Sequence, residues 1–282
     1  MNKKPIISVV IPCFNQSQYL FDSTNSILDQ SFKRWECIIV NDGSTDNTDL
    51  IGYEICKKDE RFKYIFKKNG GLSSARNEGI KNAIGEFILL LDADDKFHHL
   101  FMEKALSILI QEKKYGVVTC WGRRFVGDSY DDTFKPKGGN NFNFLFKNAA
   151  IGTSLIRKKC WEEIGGYDEN MKKGYEDWEF YIRLTQNWNV YVIKEVLFYY
   201  RQSISSMRVK ALKNFDIEIK EYIFKKHKKL YVENYDLLIK NLLNSIEKEK
   251  IEKIKNLNRI EFKIGKLVLS PFRYIKSIFI KS

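Results

Sequence analysis

An apolar run, Phe87 to Leu91, leads directly into Asp92, Ala93, Asp94 and Asp95. In an extended chain, side chains two residues apart share a face, which aims Asp92 and Asp94 at one spot and Asp95 elsewhere. Carboxylates that close raise each other's pKa unless a cation lies between them. A hard divalent ion with oxygen ligands is the natural partner. An acidic loop capping the next helix would account for the triplet equally well. What decides between the two is where the triplet sits relative to the other polar segments.

Three further segments could do chemistry. Asp42-Gly43-Ser44-Thr45-Asp46-Asn47-Thr48 reads as a turn plus a helix cap, or as a place where Asp42 accepts hydrogen bonds from a nucleobase. Asn69-Gly70-Gly71 opens a helix carrying Arg76. Its glycines would admit a ligand to the backbone, and Arg76 could pair with a phosphate or carboxylate or lie on a solvated helix face. The spacing is neither that of a Walker loop nor GxGxxG. Gly174 to Phe180 sets Glu176, Asp177 and Glu179 at a helix start around Trp178. These acids suit the helix dipole, or supply a general base beside an aromatic platform for a sugar. His98 and His99 would point about 100° apart on a helix and read as surface or helix-start residues.

The elements that must position these groups alternate. Residues 6–11, 36–40, 62–66 and 86–91 are short β-rich runs, and 18–29, 45–57 and 72–84 between them are helical. This pattern predicts an α/β fold with a mostly parallel central sheet covered on both faces. Each strand is followed by polar or glycine-rich residues: Pro12, Phe14 and Asn15; Asn41 to Ser44; Asn69 to Gly71; and the aspartates. Open α/β sheets bind ligands beyond the carboxyl ends of their strands, so four segments converge on one edge. Farther on, 128–143 reads as a polar loop, 149–156 as a strand, 177–187 as a helix, and 190–193 with 196–200 as a strand pair.

The chain of 282 residues is 44% hydrophobic, enough to bury a sizeable core. Five scattered cysteines without CxxC spacing predict reduced thiols in a cytosolic protein. The apolar segment after Lys3 and Lys4 is too short for a signal peptide, and no run approaches the roughly 20 residues of a spanning helix. The net charge is +12, and from Arg208 onward 19 Lys/Arg face 9 Asp/Glu, so the basic excess belongs to a Lys- and Leu/Ile-rich helical extension. Residues 262–280 mix apolar and basic side chains around Pro271. That extension reads as a peripheral contact with an anionic membrane surface, or as helices packed on the body or on a second subunit. No recognition motif accompanies the charge, which argues against nucleic acid.

Taken in order, residues 8–15, 41–46, 71–77, 91–95 and 175–177 resemble the family 2 glycosyltransferases, inverting nucleotide-sugar enzymes with a GT-A fold. Each piece is weak alone, whereas five in the family's order over about 6–205 are specific. The resemblance implies that Pro12, Phe14, Asn15 and Asp42, with Asn69 and Gly71, line the nucleotide pocket. It implies that Arg76 helps to hold the nucleotide, that Asp92 faces the ribose or metal, and that Asp94 ligates Mg2+ or Mn2+ on the diphosphate. Asp177 would be the catalytic base with Glu176 beside it, and Trp178 would meet the acceptor. Residues 200–207 resemble the family's closing segment, although Ser203 stands near a position where a histidine is common. Asn41 stands where aspartate is common. The implied organisation is a GT-A domain over 1–207, with a nucleotide-sugar half to 120 and an acceptor half beyond it, then a basic extension over 208–282. The implied function is transfer of a sugar, by default from a UDP donor, to a glycan or lipid-linked acceptor in surface polysaccharide synthesis, at the cytoplasmic face of the membrane. A nucleotidyltransferase or a non-catalytic nucleotide-sugar-binding protein is the alternative.

Overall fold

The computed structural model describes residues 4–202 and 215–259, together with 264 and 268. Strands β1 (Ile7–Cys13), β2 (Trp35–Asn41), β3 (Phe62–Phe66) and β4 (Phe87–Leu90) pair in parallel in the order β3-β2-β1-β4. Every residue of β1, β2 and β4 is buried, as expected of strands covered on both faces. The intervening helices are α1 (Leu20–Leu28), α2 (Thr48–Lys58) and α3 (Leu72–Asn82). Gly79 lets α3 lie against the sheet, because a Cβ there would overlap Val10 Cγ1 and meet Val40 Cγ2 at 3.1 Å. That close approach carries Arg76, one turn earlier, down onto the strand ends.

The sheet continues beyond β4. The later elements are β5 (Lys96–Phe97), α4 (Phe101–Gln111), β6 (Tyr115–Val126), β7 (Ser129–Phe134), α5 (Asn141–Phe144), β8 (Leu155–Arg157), α6 (Lys158–Glu163), α7 (Glu176–Leu184) and β9 (Asn189–Arg201). β8 lies antiparallel between β4 and β6, β9 runs parallel to β6, and β5 closes the far edge antiparallel to β9. One hydrophobic core runs through both halves, from Ile7, Val9 and Leu89 to Val118, Leu155 and Phe198.

Three expectations change here. The stretch read as a polar loop contains β7, which forms a hairpin with β6 through Gly127 at φ 56°. β7 is largely exposed, so it has no buried face to impose an apolar alternation. The pair of strands expected at 190–200 is one strand, β9. Its register skips between Cys120↔Ile193 and Trp121↔Val196, which leaves Lys194 and Glu195 as bulged residues. Of the strand expected over 149–156, only Leu155 and Ile156 pair, and the strand extends instead to Arg157.

The chain divides into two compact units, residues 1–226 and 227–282. The first includes α8 (Asp216–Lys226), which buries Ile219 and Ile223. The second contains α9 (Lys228–Glu233) and α10 (Tyr235–Asn258), and α10 buries none of its residues. The domain boundary expected at 207/208, the segment 203–207 with Ser203, and nearly all of 262–280 with Pro271 lie outside the described residues. Among the described residues, no helix is long and apolar enough to cross a membrane.

Candidate active site

The aspartate segment does not continue β4. The strand ends at Leu90, and the chain turns so that Asp95 N donates to Asp92 O at 3.1 Å. Strand alternation therefore does not bring Asp92 and Asp94 together; a tight turn does. Arg201, at the end of β9, clamps this turn. Its backbone N donates to Asp95 Oδ1 at 2.8 Å, its Nε to Asp94 O at 2.9 Å and its Nη2 to Asp22 Oδ2 at 2.7 Å. Its guanidinium also lies 4.5 Å from the ring centres of Tyr19 and Phe125. Asp95 is buried, and burial with Asp94 and Asp92 nearby pushes its carboxyl well above the ordinary range. Asp94 rises to about 6, from burial first and from Asp92 second.

Arg76 lies 2% exposed between two acidic segments far apart in sequence. Nη2 donates to Asp92 Oδ1 at 2.9 Å and Nη1 to Glu176 Oε1 at 2.8 Å, while the guanidinium faces Tyr167 at 5.4 Å. Burial works against its charge, and Asp92 and Glu176 outweigh that effect. The guanidinium is thus not presented to solvent as a phosphate holder. It ties the aspartate turn to the start of α7.

α7 starts from Gly174 at φ 111° and Tyr175 at φ 61°. Asp177, one residue into it, accepts from Trp178 N at 2.7 Å on Oδ1 and from Asn148 Nδ2 at 2.7 Å on Oδ2. Gly152 faces the same carboxylate, and a Cβ there would stand 3.0 Å from Oδ2. Burial raises the Asp177 carboxyl to about 7, with the Glu176 charge the next cause. Asp177 appears in no ion pair with Lys, Arg or His among the described residues. The expectation for Trp178 is corrected. It is 3% exposed, donates Nε1 to Phe144 O at 2.5 Å and packs edge-on to Tyr175, so it is core and not an acceptor platform.

At the other end of the edge, Asp42 is buried, and three donors occupy its carboxylate: Lys67 Nζ at 2.7 Å, Gly70 N at 3.0 Å and Gly71 N at 2.8 Å. Asn69 Nδ2 donates to Asp42 O at 2.8 Å. Asp42, Asn69 and Gly71 therefore join the loop after β2 to the start of α3, where Gly71 takes φ 91°. Asn41 is a hub of the same kind, donating to Asp49 and Tyr64 and accepting from Ser44 N. Pro12 is buried, Phe14 is 48% exposed, and Asn15 at φ 53° accepts from Thr45 N at 2.8 Å. His98 serves at a helix start, where its Nδ1 accepts from Leu100 N at 3.3 Å.

Four residues at this site went unremarked in the sequence: Lys67, Asn148, Gly152 and Arg201's role as a clamp. Asn148 and Gly152 lie in irregular chain where no periodicity singles them out. Lys67 and Arg201 had a usable signal, since each is a cation at the end of a strand that delivers to the polar edge.

Residues 8–206 match the family described as Glycosyl transferase family 2. The chain belongs to that family. TuaG of Bacillus subtilis, a glycosyltransferase named for teichuronic acid biosynthesis, is 31% identical over 219 residues, covering 75% of this chain and 86% of that protein. The glycosyltransferase RC0461 of Rickettsia conorii is 49% identical over 103 residues, which is 36% of this chain but only 17% of that much longer protein. The crystal structure of S. aureus TarS 1-349 in complex with UDP-GlcNAc superposes with a TM-score of 0.61 at 22% identity, over 74% of this chain and 61% of that one. That likeness establishes a GT-A type of fold, with the mostly parallel sheet described above.

Proposed function

We propose that this protein is an inverting glycosyltransferase that moves a sugar from a nucleoside diphosphate, by expectation UDP, to a hydroxyl of a glycan or lipid-linked acceptor in surface polymer synthesis. The observation that carries this reading is Asp177. Its neighbour Glu176 pairs with Arg76, while Asp177 itself is held, among the described residues, by an amide and a backbone N–H, with its pKa raised to about 7. A carboxylate poised there is suited to general-base work near neutral pH.

In the proposed step, Asp177 takes the proton of the acceptor hydroxyl as that oxygen bonds to the anomeric carbon. The bond from that carbon to the diphosphate oxygen breaks on the opposite face and its electron pair leaves with the diphosphate, which inverts the centre. Asn148 and Gly152 fix the direction of the base. Asp42, Asn69 and Gly71 shape the loop pair, with Pro12, Phe14 and Asn15 completing the expected nucleotide pocket.

A divalent ion fits the residues present. Among the described residues, no group of three His, Cys, Asp or Glu side chains would hold a metal unaided. Asp94 is instead a carboxylate with a raised pKa, and Asp92 keeps Oδ2 beyond its Arg76 bond. Ions such as Mg2+ are commonly held by one or two carboxylates plus substrate phosphates. When bound by Asp94 and Asp92, Mg2+ or Mn2+ would supply Lewis-acid neutralisation of the leaving diphosphate.

The relatives support the class of product: TuaG is named for teichuronic acid, and the TarS crystals hold UDP-GlcNAc. The basic excess beyond Arg208 supports a place at the cytoplasmic face of an anionic membrane; flotation with anionic liposomes but not with neutral ones is the expected result. The main test is a panel of nucleotide sugars with Mn2+ and Asp177→Asn. The variant should fold and bind UDP as the parent does while losing most turnover, and near-full turnover would sink the assignment.

A further inference from the structure

Tyr175 and Asn15 are the two non-glycine residues with positive φ among the described ones. A bulky side chain persists in the left-handed region only where its surroundings hold it there. Tyr175 stands immediately before Glu176 and Asp177, and its carbonyl accepts the first helical bond of α7, from Glu179 N at 3.1 Å. Its conformation therefore sets the direction in which the first turn of α7, and with it Asp177, leaves the preceding loop.

The Trp178 ring packs against Tyr175, and a polar anchor for its hydroxyl lies on α8. Tyr175 Oη donates to Asp216 Oδ1 at 2.7 Å, and Lys220 Nζ donates to Asp216 Oδ2 at 2.7 Å. Burial acts to raise the Asp216 pKa, but these two donors outweigh it and hold the carboxyl below the ordinary range. The rest of α8 is tied to the same region. Lys226 pairs with the fully buried Glu179 of α7 at 2.7 Å and with Asp168 at 2.5 Å. Tyr222 Oη donates to Asp168 Oδ2 at 2.8 Å, Lys173 pairs with Glu218 at 2.6 Å, and Ile219 and Ile223 are buried. The family match ends at residue 206, so α8 lies beyond the matched residues.

We propose that α8 is a positioning element for the active site, in which Asp216 holds Tyr175 in its left-handed conformation and thereby aims Asp177. This rests on the reading of Asp177 as the base. Asp216 and Tyr175 are positioning residues, since each acts through the start of α7.

The test uses the full chain with Asp216→Ala, Tyr175→Phe, their double variant, and Asp216→Asn, which keeps the acceptor oxygen. Hydrogen exchange is read on peptides spanning 172–180 and on β1 to β4 as an internal reference. Turnover is read as UDP release from the active member of the nucleotide-sugar panel. Both single variants should speed exchange at 176–180 at least fivefold with β1 to β4 unchanged. Each should lower kcat about tenfold with donor KM within twofold. The double variant should be no worse than either single one, because both break one link, and Asp216→Asn should restore most of kcat. Unchanged exchange at 176–180, losses that add in the double variant, or a rise in KM that accounts for the loss would each overturn the proposal. The outcomes separate the two claims. Full activity of Asp177→Asn removes the base while the exchange result still decides the Tyr175–Asp216 link, and an inactive Asp177→Asn beside a fully active Asp216→Ala removes the link alone.

Discussion

The turn at Asp92 to Asp95 and the start of α7 at Glu176 and Asp177 are acidic clusters on opposite sides of one guanidinium. Arg76 pairs with one member of each, Asp92 and Glu176. Burial, and next the charge of that paired neighbour, raises the pKa of the adjacent acid in each: Asp94 to about 6 and Asp177 to about 7. Their surroundings differ. Asp94 lies among carboxylates, with Asp92 and Asp95 beside it, and such a cluster suits a cation. Asp177 lies among uncharged donors, Asn148 and the Trp178 N–H, with Gly152 keeping the space in front of it open. Such a setting suits a proton. One buried arginine thus borders two acidic sites with different surroundings.

The largest break in this comparison comes from Arg76 itself. Arg76→Leu leaves Asp92 and Glu176 without their shared cation, and removing one partner of a buried ion pair costs about 3–5 kcal/mol. Thermal melting should fall by about 10 °C; a fall of under 2 °C would mean that the guanidinium is dispensable. Asp94→Asn should weaken UDP binding at least tenfold in Mn2+ and leave metal-free binding alone, as calorimetry would show. Equal affinity with metal would remove Asp94 from the cation side of the comparison. Asn148→Ala withdraws one donor from the Asp177 carboxylate, which favours its protonated form. The acid limb of kcat should move upward by about half a pH unit, and a downward shift would contradict the geometry. The smallest effect is expected at Trp178. Trp178→Phe loses the bond to Phe144 O, about 1–3 kcal/mol of stability, with acceptor KM unchanged; a large KM rise would restore Trp178 to the acceptor site.

The four parallel strands were readable because β1, β2 and β4 are buried on both faces, which makes them continuous apolar runs, and the polar residues after them mark the ligand edge. The acids at 92–95 and 176–177 were readable as candidates for the same reason. What was not readable depends on contacts between distant parts of the chain. Arg76 and Glu176 are 100 residues apart, and nothing local to either one names the other. Trp178 could face a sugar or the core, and the buried carbonyl of Phe144 decides it. β7 carries no apolar alternation because it is largely exposed, and Lys194 and Glu195 broke the pattern of β9 because they bulge out of the ladder.

Asp177 also links activity to stability, with the sign set by its raised pKa. The folded state holds this proton more tightly than the unfolded chain, so its contribution to stability is present at low pH and lost as pH rises through about 7. Asp177→Asn should therefore be more stable relative to the parent at pH 8 than at pH 5, with the difference vanishing only below the ordinary carboxylate range. The most direct measurement is kcat against pH, from 5.5 to 8.5, for the parent and Asp177→Asn, with saturating donor and Mn2+. The parent should rise about tenfold per pH unit below a single ionisation near 7 and level off above it, while Asp177→Asn stays low and flat. A flat parent profile, or the same limb surviving in Asp177→Asn, would contradict Asp177 as the base.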